Sequence, residues 1–516
     1  MDPIELSLFA SRMDAVCEEM GAQLQRAAFS PNIRDRLDFS CAIFDAKGEL
    51  CAQAAHIPVH LGSMAYAMHE IVSGIDWRPG DMVALNDPFL GGTHLPDVTV
   101  IAPVYCGDNL VGFVANRAHH ADIGATSPGS MPISHSLEEE GQVIPPQHIM
   151  RGDEVDSSLV SRFTHATRNP RDAEGDFAAQ ISANRRGLAR ITPLIQSLGV
   201  DQYSAALAEL NDYAERLARP ALADTPPGRY EFTDYMDDDG LGNRDIAIHA
   251  AVSVTADGID VDFAGTASQA PGNINCPLPV TAAAVFYVFR CLMPAHTPAC
   301  AGSFRPIRLT APLGCLLNAR RPCAVAAGNV ETSTRVVDVV LGALAQAIPE
   351  RIPAASHGSM NNLAMGKSGD SSWGYYETLG GGMGAGPKSP GPSAIQTHMT
   401  NTRNTPIEVL EMRYPMRVRR YCVRRGSGGM GRHTGGDGLV REYEFLCQTR
   451  FTLLTERRLR RPWGLAGGGA GQAGANRFNG EILPGKVERE AQAGDRLVIE
   501  TAGGGGWGVS PDENVR

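Results

Sequence analysis

Asn86-Asp-Pro-Phe-Leu-Gly-Gly-Thr-His-Leu-Pro-Asp97 and, after an apolar run, Asn116-Arg-Ala-His-His-Ala-Asp122 form the stretch on which the fold turns. Between them a Val-, Ile- and Phe-rich segment is interrupted by Cys106-Gly-Asp-Asn109, which predicts two strands joined by a turn. His94 and Asp97 stand three positions apart with Pro96 between them, so a regular helix is disfavoured and one tight loop carries both. A hairpin returns its far end to its start, which brings His119 or His120 to that loop. Imidazole nitrogen with carboxylate oxygen suits Zn, Mn or Fe better than Ca or Mg. Neighbouring strand residues point to opposite faces, so a single site takes one of the two histidines. The blander reading is that His94 and Asp97 only brace the loop and the histidine pair is ordinary surface. Two His/Asp clusters flanking one hairpin favour the metal site.

Upstream, Phe9, Met13, Val16, Met20, Leu24 and Ala27 recur every three or four residues and predict an amphipathic helix. It feeds the segment Ser30-Pro-Asn-Ile-Arg-Asp-Arg-Leu-Asp-Phe-Ser-Cys-Ala-Ile-Phe-Asp45. Downstream, Leu207, Leu210, Ala214 and Leu217 predict a helix ending before Pro220, and Pro226-Pro-Gly228 marks a first boundary. Tyr230-Glu-Phe and Ile246-Ala-Ile-His-Ala-Ala-Val-Ser-Val alternate like strands. Val336, Val337, Val340, Leu341 and Leu344 share one side of a further helix, with Thr332 or Ser333 expected to cap it. From Gly358 on, short strands between glycine-rich loops predict a β-rich region. The expected architecture is a large multidomain α+β chain: a helix-containing metal region at 1–222, a middle α/β domain at 223–357 and the β-rich part at 358–516.

The 516 residues exceed what one core accommodates, since single cores stop growing near ~250–300 residues. A net charge of -11 argues against a nucleic-acid or anionic-membrane partner. Met1-Asp-Pro-Ile-Glu-Leu lacks a signal-like pattern and no apolar run reaches spanning length, so the expected location is the cytoplasm. The 11 cysteines show no Cys-x-x-Cys spacing and are read as reduced thiols. Gly426-Ser-Gly-Gly-Met-Gly, Gly469-Ala-Gly-Gln-Ala-Gly and Gly503-Gly-Gly-Gly-Trp-Gly fit the dinucleotide consensus formally, yet none opens an amphipathic helix. Gly366-Lys-Ser resembles the end of a phosphate loop but lacks its leading glycine, because position 361 is Asn. No nucleotide cofactor is expected on this chain.

The strings quoted above, together with His56-Ile-Pro-Val-His-Leu-Gly-Ser-Met, Gly328-Asn-Val-Glu-Thr-Ser, Thr397-His-Met-Thr-Asn-Thr-Arg-Asn-Thr-Pro and Gly435-Gly-Asp-Gly-Leu-Val-Arg-Glu-Tyr, resemble the hydantoinase B/oxoprolinase family over essentially the whole chain. That family includes N-methylhydantoinase B subunits and the acetone carboxylase alpha subunit. The resemblance implies a metal site of His94, Asp97, His119 and an upstream acid, Asp38, with Asp35 as its competitor. One divalent transition metal, Zn or Mn with Fe admissible, would sit there. His120 and Asp122 are the implied catalytic or supporting groups. At Ala125 the chain departs from the common pattern, where a second Gly often follows Asp-Ile-Gly.

The resemblance also implies a partner. ATP and Mg are expected on a separate hydantoinase A-type subunit in a hetero-oligomer, and the small-molecule substrate is a cyclic amide. His398, Asn401, Arg403 and Asn404 are candidates for substrate contact, against the alternative that Asn and Thr there brace their own loop. The Arg413–Arg425 run is read as a solvated or ion-paired strand face before a phosphate site. Two other readings are a ketone carboxylase subunit and a non-catalytic partner whose metal holds the fold.

Overall fold

The computed structural model describes residues 1–54, 57–369 and 371–510, so His56 lies outside the described residues. Its first sheet holds β1 (Phe39–Asp45), β2 (Leu50–Ala54), β3 (Met82–Leu85), β4 (Asp97–Cys106), β5 (Asn109–His119), β6 (Gln147–Arg151) and β7 (Glu154–Val155), in spatial order β2-β1-β5-β4-β3-β6-β7. The predicted hairpin is β4–β5, with Asp97 opposite His119, Val98 opposite Ala118 and Thr99 opposite Arg117. Side chains alternate along each strand, so Val98, Val100 and Ala102 enter the core shared with the Pro3–Ala27 and Pro170–Leu198 helices. Ile101, Phe113 and Ala115 face the other way, onto the Pro58–Ser73 helix. Asp97, Thr99, Arg117 and His119 have that same parity.

The Pro3–Ala27 helix starts as its sequence dictates, with Asp2 and Glu5 closing a capping box and Pro3 in the first turn. Phe9, Met13, Val16, Met20 and Leu24 are buried on its apolar face. Its crossing with the 29-residue Pro170–Leu198 helix is close because Gly187 meets Met20: a Cβ there would lie 2.5 Å from the Met20 sulfur. Two expectations need correction. The Val200–Ala223 helix continues through Pro220, because only the last turn loses an N–H bond and buried Ala218 and Leu222 hold that turn to the core. Neither Thr332 nor Ser333 caps a helix, since a π-turn at Gly328–Thr332 runs directly into the Ser333–Leu344 helix. Their hydroxyls donate to Ile274 O and Asn329 O instead.

A second sheet, β8 (Gly228–Asp238), β9 (Arg244–Thr255), β10 (Gly258–Asp262) and β11 (Ile307–Thr310), is covered by the Leu278–Leu292 and Ser333–Leu344 helices. The remaining strands are β12 (Asn362–Lys367), β13 (Trp373–Glu377), β14 (Met416–Arg424), β15 (Gly438–Phe445), β16 (Thr449–Leu454), β17 (Ala475–Phe478), β18 (Glu481–Leu483), β19 (Lys486–Ala491) and β20 (Arg496–Glu500). They form the sheets β13-β12-β16-β19 and β14-β15-β20-β17-β18 around a shared core that includes Leu363, Tyr443, Phe451 and Leu497. One apolar cluster runs from Ile57 and Met131 through Val252 and Val339 to Tyr376 and Leu454, so the parts of the chain share packed surface. β14 is the Arg-rich run, with Arg419 and Arg420 paired to Glu444 and Glu442.

The glycine strings of the C-terminal part pack against one another. Gly504, Gly505 and Gly506 donate to Gly436 O, Ala355 O and Gly469 O, while Gly504 O accepts from Gly429 N. A Cβ on Gly504 would stand 2.0 Å from Met383 O, so only glycine permits this approach of backbones. Gly366 and Lys367 end β12 in register with Gly374 and Trp373, as strand rather than loop. All 11 cysteines are free thiols, and among the described residues no helix is long and apolar enough to cross a membrane.

Candidate metal centre

The loop that delivers His94 is pinned by Asn86. Its side chain donates to Leu95 O and Gln142 O and accepts from Ile144 N. Asp87 caps the short turn Pro88–Leu90, and Gly91 follows at φ 100°, where a side chain would be strained. The turn leaves Gly91 O to accept from Arg117, whose guanidinium also donates to Thr99 and Ser63. Arg117 thereby ties loop, hairpin and the Pro58–Ser73 helix together beneath the site.

His94, Asp97 and His119 each offer a ligand atom, and these atoms lie within 4.8 Å of one another in the interior. The hydrogen bonds around them fix which atoms are available. His94 Nδ1 faces Ala326 O at 3.3 Å and His119 Nδ1 faces His120 O at 3.0 Å. A carbonyl only accepts, so both Nδ1 atoms carry the proton and both Nε2 atoms present a lone pair. The Asn32 amide also lies 3.1 Å from His119 Nδ1, but an amide can turn either its oxygen or its nitrogen to that atom, so the carbonyl decides the tautomer. Among the described residues no contact of either Nε2 or of Asp97 Oδ1 has hydrogen-bond geometry, although His94 Nε2 lies 3.3 Å from Asp97 Oδ2 and His60 Nε2 lies 3.2 Å from Asp97 Oδ1. Asp97 Oδ2 is held by Thr93 at 2.6 Å and Asn329 at 3.2 Å. Buried polar atoms left unpaired are costly, and three that converge with N, N and O character match the donor set of a divalent transition metal. The residues present therefore fit such an ion.

Electrostatics favour the ligand form at Asp97 and His119, while at His94 the adjacent carboxylate favours the protonated imidazole. Burial alone would raise the Asp97 carboxyl, but His60 and His94 beside it hold it well below the usual carboxylate range. Burial pushes His119 well below the ordinary imidazole value. For His94 burial acts downward and the neighbouring Asp97 outweighs it, giving a net rise.

Asp38 flanks the trio without joining it. Its backbone carbonyl accepts from His119 N, and its carboxylate lies 3.9 Å from His60 Nε2 and 3.8 Å from Arg36 Nη2. Burial raises its carboxyl. Asp35 is turned away and chelated by Arg34. His60, which the sequence reading did not single out, reaches Asp97 Oδ1 at 3.2 Å from the first turn of the Pro58–Ser73 helix. Its signal was the string His-Ile-Pro-Val-His, where Pro58 starts a helix and the next histidine sits in that helix's first turn.

His120 and Asp122 are not brought to this cluster. His120 lies against Phe177 and bonds Gln180 on the opposite side of β5, as strand alternation requires. Asp122 accepts from Gly124 N, Ser130 Oγ, and Arg168 N and Nη1, which occupies both its oxygens. Asn401, Arg403 and Asn404 line one cavity of about 700 Å³ together with Leu37, the neighbour of Asp38. His398 stands apart from it, beside Tyr287 and Asp338.

The sequence profile of the hydantoinase B/oxoprolinase family matches residues 2–510. The chain is 40% identical over 543 residues to 5-oxoprolinase 1 of Arabidopsis thaliana, an alignment covering 98% of this chain and 42% of that protein. It is 32% identical over 538 residues to the putative B-type subunit of a D-/L-hydantoinase from Pseudomonas sp. (strain NS671), covering 98% and 90%. Its fold matches the crystal structure of the ATP-dependent caprolactamase from Pseudomonas jessenii with a TM-score of 0.93 at 27% identity, over 100% of this chain and 93% of that one. The chain thus spans about two fifths of the plant oxoprolinase and nearly all of the hydantoinase component.

Proposed function

The chain belongs to the hydantoinase B/oxoprolinase family, and from that premise we propose that it is the metal-bearing B-type subunit of an ATP-dependent cyclic-amide hydrolase. It acts on a hydantoin, 5-oxoproline or related lactam, together with an A-type subunit that binds ATP and Mg. The observation that carries this reading is the buried trio of convergent ligand atoms on His94, Asp97 and His119. The relatives named for oxoprolinase, hydantoinase and ATP-dependent caprolactamase activity support the substrate class.

His94, Asp97 and His119 would hold one divalent transition metal, Zn or Mn with Fe admissible. Such an ion supplies Lewis acidity toward an amide carbonyl and lowers the pKa of water. The chain's own residues do the rest. Ala326 O and His120 O keep both imidazoles in the tautomer whose Nε2 faces inward, and Thr93 and Asn329 orient Asp97. Asp38 and His60 form an adjoining acid–imidazole pair able to hold a proton beside the trio. Asn401, Arg403 and Asn404, lining the cavity that includes Leu37, receive the ring.

Hydrolysing a resonance-stabilised amide is hard, and activation by ATP falls to the A-type partner in this proposal, as the family resemblance implies and as the B-type naming of the hydantoinase relative supports. Combining the chain with a family A-type subunit, ATP and a panel of cyclic amides tests the proposal. Ring-opened product should accompany phosphate release only in the mixture. Phosphate release without ring opening for every ring would leave the chain a non-catalytic partner.

A further inference from the structure

The cavity of about 700 Å³ beside Leu37 carries charge of one sign. Among the described residues that line it, Arg403 is the only charged one, and no Asp or Glu accompanies it although the chain as a whole has a net charge of -11. Arg403 and Asn401 line the cavity with exposed side chains. Among the described residues neither side chain makes a hydrogen bond or ion pair. On the adjoining strand β14, which supplies Tyr421 to the same wall, Arg419 and Arg420 are paired with Glu444 and Glu442. Arg403 has no such acid.

The other polar groups of the wall are bonded to one another. Gln396 Nε2 and Arg36 Nη2 both donate to Thr378 Oγ1, so the Thr378 proton goes to Thr402 Oγ1 at 2.6 Å. Asn404 Nδ2 donates to Glu377 and to Thr378 O, while its oxygen accepts from the Tyr421 hydroxyl. Asn404 therefore shapes the wall and holds Tyr421 in place. The Tyr421 ring, with Arg441 4.4 Å from its centroid, joins Leu37, Ala394 and Ile395 as the apolar part of the lining. Leu37 and Ala394 hold φ of 57° and 55°, a left-handed conformation uncommon for residues with a side chain. Arg403 N donates to Arg36 O, which fastens this wall to the segment that carries Asp38. An apolar lining with one free guanidinium suits a small apolar body that bears an anionic group.

We infer that Arg403 makes this cavity selective for an anion, a carboxylate or phosphoryl group on a small ring, and is the residue by which the chain distinguishes an anionic cyclic amide from a neutral one. Its planar guanidinium takes either group through two parallel N–H bonds, and Asn401 offers a further amide beside it. A neutral ring gains the apolar lining alone. That the anion belongs to a substrate ring rests on the proposed function; anion binding itself does not.

Calorimetric titration of the full chain tests the inference without ATP or a partner, using 5-oxoproline, 2-pyrrolidinone, which is the same ring without its carboxylate, and inorganic phosphate. At least one anionic probe should bind about tenfold more tightly than 2-pyrrolidinone. Arg403→Gln should lower that affinity about tenfold and leave 2-pyrrolidinone unchanged, while Arg403→Lys, which keeps the charge, should recover part of the loss. The Arg403 side chain is exposed and makes no bond, so both variants should melt with the wild type. Arg403-dependent binding of 5-oxoproline assigns the anion to a ring carboxylate, and such binding of phosphate alone assigns it to a phosphoryl group. Equal affinity for 5-oxoproline and 2-pyrrolidinone with none for phosphate overturns the inference. Anion binding unchanged in Arg403→Gln overturns it too, as does absence of binding at millimolar probe. A chain that opens rings with its partner yet shows no Arg403-dependent anion binding removes this inference alone. A chain that shows such binding yet opens no ring removes the proposed function alone.

Discussion

The phenol ring of Tyr376 lies parallel to the imidazole of His119, with centroids 4.8 Å apart and planes within 3°. Tyr376 belongs to β13, so a strand of the C-terminal part sets the plane of a candidate ligand in the first sheet. Its hydroxyl donates to Asn362 at 2.7 Å, and Arg36 places its guanidinium 4.9 Å from the ring centroid while donating to the Tyr376 carbonyl. The ring is held on several sides before any ion arrives.

Replacing Tyr376 with Leu removes the stacked surface and frees His119 to rotate about its side-chain bonds. Metal affinity should fall by about ten- to a hundredfold, the range typical of groups that orient ligands. Tyr376→Phe keeps the ring and should cost far less. Competition with a chelator measures both variants, and equal affinities in Leu and Phe would show that stacking does not orient the imidazole.

Purified protein should carry about one transition metal per chain, because among the described residues one set of convergent N and O atoms lies in the interior. Elemental analysis of the wild type and of a His94→Ala, Asp97→Ala double variant checks this. Full occupancy in the double variant would place the ion elsewhere.

The hairpin and its histidine were legible because strand alternation is a local rule: Asp97 and His119 share a face and His120 takes the other. The β-rich character after Gly358 was legible from composition. His60 was not, since it reaches Asp97 only through packing of the Pro58–Ser73 helix against the sheet, and no local period reports that. Nor does sequence show what Gly503–Gly506 touch, because their partners, Gly436, Ala355 and Gly469, come from separate segments. Asp122 was a catalytic or supporting candidate through the resemblance; two of its four hydrogen bonds come from Arg168, 46 residues downstream, which no local pattern reports.

Glu331 should contribute a loss of stability as pH rises from about 4.5 through about 8, against the opposite contribution of buried histidines such as His119 and His357. Burial pushes the Glu331 carboxyl from 4.5 up to about 8. Between those values the folded chain keeps the proton and the unfolded chain releases it, so folding is favoured at the acid end and that contribution is lost toward pH 8. Glu331→Gln, which keeps an acceptor for Met360 N and Asn362 Nδ2, should remove that contribution and leave the variant's stability less reduced toward pH 8 relative to its value near pH 4.5. Melting temperatures of both proteins across this range decide it, and parallel curves would mean Glu331 does not titrate there.

The last prediction separates the two adjacent histidines in the chain reconstituted with its A-type partner. His119→Ala removes one of three convergent ligand atoms, so ring opening should drop at least about a hundredfold. ATP turnover by the partner should persist, because activation precedes the step that needs the trio. His120→Gln leaves the trio intact, since that side chain bonds Gln180 on the other face, and ring opening should fall far less. Its backbone carbonyl, which fixes the His119 tautomer, is unchanged by the substitution. Parallel assays of ring-opened product and phosphate read both variants, and unimpaired ring opening in His119→Ala would remove His119 from the chemistry altogether.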